Sequence, residues 1–288
     1  MQSTDISQRF IFDHADIRGE LVTLGDSYLQ TVAQHGYTGA VSQLLGQFLA
    51  AGVLLGSTIK FAGRLVLQAR GDGDIDLIMS EYTSEGNLRG IARFAQQPKG
   101  NSFRELVGKG TLVITVDSRL GDPYQGVVAL DSDSLALCLQ HYFQQSEQLD
   151  SWFMLAVDEK RVSAMMLQQL PAQLEADPEV RAEQWQQALH LARTLSRDEL
   201  LSHDHETILH RLYHEQDLRL FEPRPLRYQC SCSRERTAKA LLAIGKQEVD
   251  SIVAEQNGVE ISCEFCGTEY NFGPGELELL FTKAGLEH

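Results

Sequence analysis

The chain is short of the features that mark exported, fibrous or membrane-spanning proteins. Its 288 residues include only five cysteines, seven prolines and two tryptophans. No internal repeat, low-complexity tract or coiled-coil heptad occurs, which excludes solenoids and fibrous chains. Basic residues are scarce: 25 Lys and Arg face 40 Asp and Glu, a formal charge of −15. An acidic chain repels phosphate backbones, so nucleic acid is not an expected partner, and no basic block offers a local exception. The longest apolar stretch, Phe48 to Leu55, falls far short of the roughly 20 residues that span a bilayer, so no membrane partner is expected. Met1 to Asp5 has neither the basic nor the apolar region of a secretory signal. A cytoplasmic location is therefore expected, where thiols are kept reduced. What remains is ordinary soluble usage: 43 % hydrophobic and 23 % charged residues, enough to build a core in one large domain or two modest ones.

The organisation reads as α+β. Ile17 to Leu24, Phe61 to Ala69, Ile75 to Tyr82, Leu112 to Val116 and Gln125 to Leu130 are short, partly alternating and bounded by Gly or Asp turns, the pattern of strands. Helical spacing runs over Thr38 to Thr58 and Asp133 to Gln145, where Leu135, Cys138, Leu139 and Tyr142 form one stripe. Residues 1–170 are thus expected to form a mostly antiparallel sheet-and-helix core domain. Residues 171–229 form a polar helical linker with narrow apolar faces: Trp185, Leu189 and Ala192 on one, Ile208, Leu209 and Leu212 on another. Short helices of this kind owe their stability to docking. Residues 230–285 are too few to rely on their own core and call for a staple. Leu286-Glu287-His288 reads as a tag remnant.

That staple is visible. Cys230-Ser231-Cys232 is followed, 30 residues on, by Cys263-Glu264-Phe265-Cys266-Gly267. Two close pairs of thiolates can close a tetrahedral shell around one Zn²⁺ per chain in the reduced state. Cys230, Cys232, Cys263 and Cys266 are therefore the expected metal ligands, and Gly267 supplies the tight turn of a knuckle. A closed shell leaves no open position for substrate, so the metal holds structure and no catalytic residue is expected at it. Only thiolate binds the ion, so an oxidant that converts the cysteines removes the ligands and becomes an unfolding signal. Arg234 and Arg236 add positive charge beside the CxC pair and should favour its thiolates.

The same residues carry a family resemblance. YQCSCSRERTAKALLAIG with ISCEFCGTEYNF resembles the zinc domain of the redox-regulated bacterial chaperones called the heat-shock protein thirty-three family. The resemblance extends through QLLGQFLAAGVLLGSTIKFAGRLVLQARGDG, LRGIAR, GKGTLVITVD, YQGVVAL and YFQQSEQL, nearly the whole chain. It implies an ATP-independent holdase, inactive while reduced and zinc-bound. Oxidation would link Cys230 with Cys232 and Cys263 with Cys266, release zinc, and unfold the zinc domain and linker. The exposed segments would hold unfolding clients, with a dimer as the oxidised form, until the DnaK and DnaJ foldases take over. Of the two pairs, Cys263 with Cys266 should close first, because a CxxC turn brings the Cα atoms within roughly 4.4 to 6.8 Å more easily than one intervening residue does.

Other candidates read as structure. Cys138, on the apolar face of its helix, is a core thiol. Asp72, Asp74 and Asp76 lack the Gly and the bidentate acid of a calcium loop and read as a charged turn. Gly108-Lys109-Gly110 lacks the context of a phosphate loop. Five of the nine histidines fall in 171–229; His203 and His205, two apart on a helix, are expected to point apart into solvent. No GxSxG or HExxH occurs, so an enzyme is not expected. The alternative for the cysteine pairs is a zinc-ribbon nucleic-acid-binding protein, which the acidic charge opposes.

Overall fold

A computed structural model describes residues 5–118 and 122–286; the suggested tag residues Glu287 and His288, and Met1 to Thr4 of the N-terminal segment, lie outside them. The chain divides into two compact units, Met1–Gln229 and Cys230–His288. The first opens with β1 (Ile6–Phe12) and β2 (Ile17–Leu24), then α1 (Asp26–His35) and α2 (Gly39–Thr58). It continues through β3 (Gly63–Gly71), β4 (Leu77–Thr83), β5 (Asn87–Arg93), α3 (Phe103–Val107), β6 (Gly110–Ser118) and β7 (Tyr124–Ala129). Next come α4 (Leu135–Tyr142), β8 (Ser151–Val157) and β9 (Val162–Gln169). Helices α5 (Pro178–Ala192), α6 (Arg197–Ser202) and α7 (His205–Tyr213) follow, then β10 (Leu218–Leu220), β11 (Arg224–Pro225) and β12 (Arg227–Tyr228).

These strands build two sheets. One runs β10-β1-β2-β9-β8, with β11 also on β1; the other runs β12-β5-β4-β3-β6-β7. The pairings are antiparallel except that of β12 with β5. Between the sheets lies α2, which packs against β2, β8 and β9 on one side and β3, β4 and β5 on the other. Phe48, Leu49, Leu54 and Leu45 on it are essentially inaccessible. By length and composition alone α2 could cross a membrane, but most of it is buried inside the fold. Asp133 to Gln145, expected as one helix, is instead α4 followed by a π-helical turn over Phe143–Glu147. There Gln148 at φ 55° turns the chain toward β8.

The first sheet is covered on both faces, and this sets the place of residues 171–229. Its second face carries a separate core in which Phe10, Phe12, Leu21, Met165 and Leu167 meet Trp185, Leu189, Ala192, Ile208, Leu209 and Leu212. The two apolar stripes read from the sequence are the docked faces of α5 and α7. Asp16 pins the entry to this segment: its carboxylate accepts the backbone N–H of Gln173 (3.1 Å), Leu174 (3.1 Å) and Glu175 (3.4 Å) and lies 3.6 Å from Arg181. Burial pushes the Asp16 pKa up, but the three N–H groups and Arg181 outweigh it and hold it below the usual carboxylate range.

The expectation of solvated histidines fails at His205, which is 5 % exposed at the start of α7. Its Nδ1 lies 3.1 Å from Gln8 Oε1 and its Nε2 3.0 Å from Thr23 Oγ1. The Gln8 amide is oriented by donating its N–H to the Phe221 carbonyl at 2.9 Å, so its oxygen faces the ring. Nδ1 must therefore carry the proton, and neutral Nε2 accepts from Thr23. Desolvation lowers the pKa of this imidazole to about 4, against the upward pull of Asp204. Nor do the two histidines share a helix: His203 is the extended C-cap of α6, whereas His205 opens α7 after the extended Asp204, and the sheet takes only His205.

The second unit is small. It holds α8 (Arg234–Ile244), α9 (Lys246–Gln256), the hairpin β13 (Val259–Ser262) with β14 (Glu269–Phe272), and α10 (Pro274–Leu286). Among the described residues its buried core consists of Leu241, Val249, Val259, Phe272 and Leu277, with seven partly buried apolar side chains packed around it. Five such side chains are too few to hold some 55 residues unaided.

Candidate metal centre

Two local structures bring the four cysteines together. Cys230 and Cys232 precede α8, whose first turn is capped by the Ser233 hydroxyl accepting the Arg236 N–H at 3.2 Å. Cys263 and Cys266 lie in the turn that joins β13 to β14. That turn is closed by Cys263 N–H to the Thr268 carbonyl (2.9 Å) and Gly267 N–H to the Cys263 carbonyl (2.8 Å). Gly267 sits at φ 66°, a conformation in which a side chain is strained.

The sulfurs form one cluster. All four ligand atoms lie within 4.8 Å of one another and could hold a metal ion. Two close approaches run between the halves: Cys230 to Cys263 at 3.6 Å and Cys232 to Cys266 at 3.4 Å. A tetrahedral shell with bonds of roughly 2.3 Å has sulfur–sulfur edges of about 3.8 Å, so the donors stand close to the spacing that one Zn²⁺ requires. None of the four is in a disulfide, and all are partly buried.

Neighbouring groups divide the thiols electrostatically. Burial raises the Cys266 pKa, but the hydroxyl and backbone of Thr268 and its sulfur neighbours more than reverse this and bring it to about 7. The Thr268 hydroxyl lies 3.1 Å from Cys266 Sγ. Cys263 is pushed up to about 12, first by burial and then by its sulfur neighbours, against the N–H groups of Phe265 and Cys266. Cys232 is raised mainly by burial, while the Tyr270 hydroxyl donates to its sulfur at 3.1 Å and works the other way. That bond pushes the Tyr270 phenol itself to about 12. Thr268 and Tyr270 went unread in the sequence, although both stand within four residues of Cys266.

The two arginines occupy different places. Arg234 is committed elsewhere: it forks onto Glu276 at 2.7 to 3.1 Å, donates to the Asn271 carbonyl at 2.7 Å and lies over the Phe272 ring at 4.4 Å. It thereby ties α8 to β14 and α10. Arg236 donates to the carbonyl and hydroxyl of Ser231, at 2.8 and 2.7 Å, and so sits against the residue between the first two cysteines. Cys138 is fully buried in α4 and takes no part in the cluster. Asp72 and Asp74 bind backbone N–H groups of Lys109, and of Lys99 and Gly100, as turn-holding acids.

Two mostly antiparallel sheets about a central helix, with helices docked on the outer sheet face and a separate four-thiol module, define a two-unit α+β protein. The chain belongs to the Hsp33 family: the description "Hsp33 protein" matches residues 5–273. It is 48 % identical over 287 residues to the 33 kDa chaperonin of Pseudomonas fluorescens, covering 99 % of this chain and 96 % of that protein. With the 33 kDa chaperonin of Azotobacter vinelandii it shares 47 % identity over 288 residues, covering 99 % and 97 %. The fold is similar to the crystal structure of a 33 kDa chaperonin from Thermotoga maritima, with a TM-score of 0.80 at 24 % identity, covering 99 % of this chain and all of that one.

Proposed function

We propose that the chain is a redox-regulated, ATP-independent holdase chaperone of the cytoplasm, without enzymatic activity, that responds to oxidative stress. The observation that carries this reading is the convergence of four thiols, close to tetrahedral spacing, in a unit whose described core has only five fully buried side chains. Bound to Cys230, Cys232, Cys263 and Cys266, Zn²⁺ supplies folding free energy on the order of 10 to 16 kcal/mol, comparable to the stability of a whole domain. In this reading residues 1–170 form a persistent core domain, 171–229 a metastable linker, and 230–285 the zinc and redox-switch domain.

Peroxide takes two electrons from each cysteine pair: one thiolate becomes a sulfenic acid, and its partner displaces the oxygen as water to form the disulfide. Cys230 links with Cys232 and Cys263 with Cys266, the second pair first because its turn spans the easier distance. Arg236, held against Ser231, is the arginine placed to modulate the CxC thiolates, whereas Arg234 is tied into its ion pair with Glu276. Loss of the ligands leaves the five-residue core without its staple. The linker then leaves the first sheet and offers apolar stripes on charged backs, a surface suited to unfolded clients, to a second copy in the active dimer, and to hand-over to DnaK and DnaJ. Light scattering from a heat-unfolding client tests this. Suppression is expected from the peroxide-treated, zinc-free protein and not from the reduced, zinc-loaded one. Equal suppression by both, or by neither, contradicts the proposal.

A further inference from the structure

The cavities of the first unit hold two adjoining spaces of opposite character. The larger, about 460 Å³, lies at the C-terminal end of α2 between the sheets and is walled by Leu55, Phe61, Leu65, Ile114, Val116 and Phe143. This is the size and apolarity of a small-molecule site. Beside it is a polar depression of about 400 Å³ lined by Arg9, Arg18, Lys60 and Arg224, with no acidic residue among its lining. Four cations around one depression are conspicuous in a chain of net charge −15.

The two spaces share Arg18, Thr58, Ile59, Lys60 and Phe61, so one elongated molecule can occupy both. At this shared lip Ile59 is left 41 % exposed, a large apolar side chain at the junction. The lining of the apolar cavity also includes Asp122, Tyr124, Tyr142 and Glu147. There the Glu147 carboxylate already accepts both phenols, at 2.9 and 2.6 Å, and repels a second anion. Beneath the cationic end Glu20 lies 3.8 Å from Arg9, and Glu85 also acts on Tyr82 of the same lining. Burial raises the Glu20 pKa, against the pull of Arg9. Arg18 spends its Nε and one terminal nitrogen on Gln168 and the Thr58 carbonyl. Burial and then Arg9 disfavour its charge, a condition that an incoming anion relieves.

We propose that this paired cavity binds a single-chain anionic amphiphile, a medium- or long-chain carboxylate, with its tail among Leu65, Ile114 and Phe143 and its head group against Arg18 and Lys60. The orientation follows from the character of the two spaces, apolar walls in the larger and Arg9, Arg18, Lys60 and Arg224 around the other. The proposal is independent of the redox reading, because every residue it uses lies in the first unit.

Calorimetric titration of the reduced, zinc-loaded full chain with decanoate, well below its micelle concentration, tests it. The same titration with decan-1-ol, and with vesicles of phosphatidylglycerol, separates the carboxylate from mere apolarity and from adsorption to a lipid surface. One decanoate per chain is expected, bound at least tenfold more tightly than the alcohol, a difference of about 1.4 kcal/mol. The double variant Lys60→Glu, Arg224→Glu should erase the preference for the acid, and Val116→Phe, which fills the cavity, should weaken both ligands. The proposal is overturned by equal affinity for acid and alcohol, by no saturable binding, by binding to vesicles alone, or by affinities that both variants leave unchanged. The comparison of acid with alcohol uses the unaltered chain and stands even if a variant does not fold.

Discussion

Acid should loosen the docked helices from the first sheet through one side chain, His205. Its ring is buried between Gln8 of β1 and Thr23 of β2, with Asp204, the N-cap of α7, as the neighbouring charge. Asp204 accepts the Thr207 N–H at 2.7 Å. That bond lowers its pKa, so it stays ionised and already favours the imidazolium; burial nevertheless wins and holds His205 at about 4. Undocked, the imidazole returns to about 6.5. Because the docked value is the lower one, the undocked state takes up the proton first. The stabilisation is complete above pH 6.5, falls as the pH drops toward 4 and is exhausted below that, a ceiling of about 3 kcal/mol. At pH 5 the docking equilibrium should be weaker by about thirtyfold than for a non-titrating residue at this position.

Amide hydrogen exchange over 178–213 at pH 7 and pH 5, corrected for intrinsic rates, measures this opening directly. His205→Gln keeps a side chain able to meet Gln8 and Thr23 but removes the titration. The wild-type protein should lose protection at pH 5, and the variant should lose far less. Equal loss in both proteins would refute the reasoning, as would full protection of the wild type at pH 5.

Three further outcomes follow from particular contacts. Asp16→Asn weakens the hold on Gln173, Leu174 and Glu175 and deprives Arg181 of its carboxylate; a loss of about 2 kcal/mol in urea unfolding is expected, and an unchanged midpoint would contradict it. Gly19→Ala drives a methyl group into the ring of the fully buried Phe10, so the melting temperature should fall by an amount equivalent to about 1 to 3 kcal/mol; a neutral result would show that Phe10 has room to move. Tyr270→Phe removes the hydroxyl that donates to Cys232, and competition with a chelator should then register a metal affinity lower by about 10- to 100-fold, since outer donors orient and tune ligands. Wild-type affinity would assign that hydroxyl no such role.

Much of this architecture was legible where local pattern and tertiary environment agree. Ile17 to Leu24 was read to the residue, and Thr38 to Thr58 to within one, because partial alternation between turn residues marks the first and helical spacing the second. β9 was missed because it is buried on both faces, between α2 and the docked helices. Its sequence VSAMMLQQ therefore lacks the alternation that announces a strand. β10, β11 and β12 were missed because they are two or three residues long and exist only through pairing with β1 and β5, far away in the chain. The four cysteines could be found from spacing alone, since short loops force each pair together. Their close contacts across the halves, and the donors Thr268 and Tyr270, depend on how β13 and β14 pair. His205 shows the same limit from the other side: nothing in HDHETILH tells which of two histidines will meet a sheet formed some 180 residues earlier.

The central claim is that the metal-bound thiols hold the second unit folded. Peroxide treatment of the reduced, zinc-loaded protein, with zinc release followed by a chromogenic chelator and hydrogen exchange over 230–285 sampled at the same times, tests it most directly. Protection in that region should vanish in step with the departing zinc, one ion per chain. Complete zinc release with two disulfides formed and protection over 230–285 intact would contradict the account.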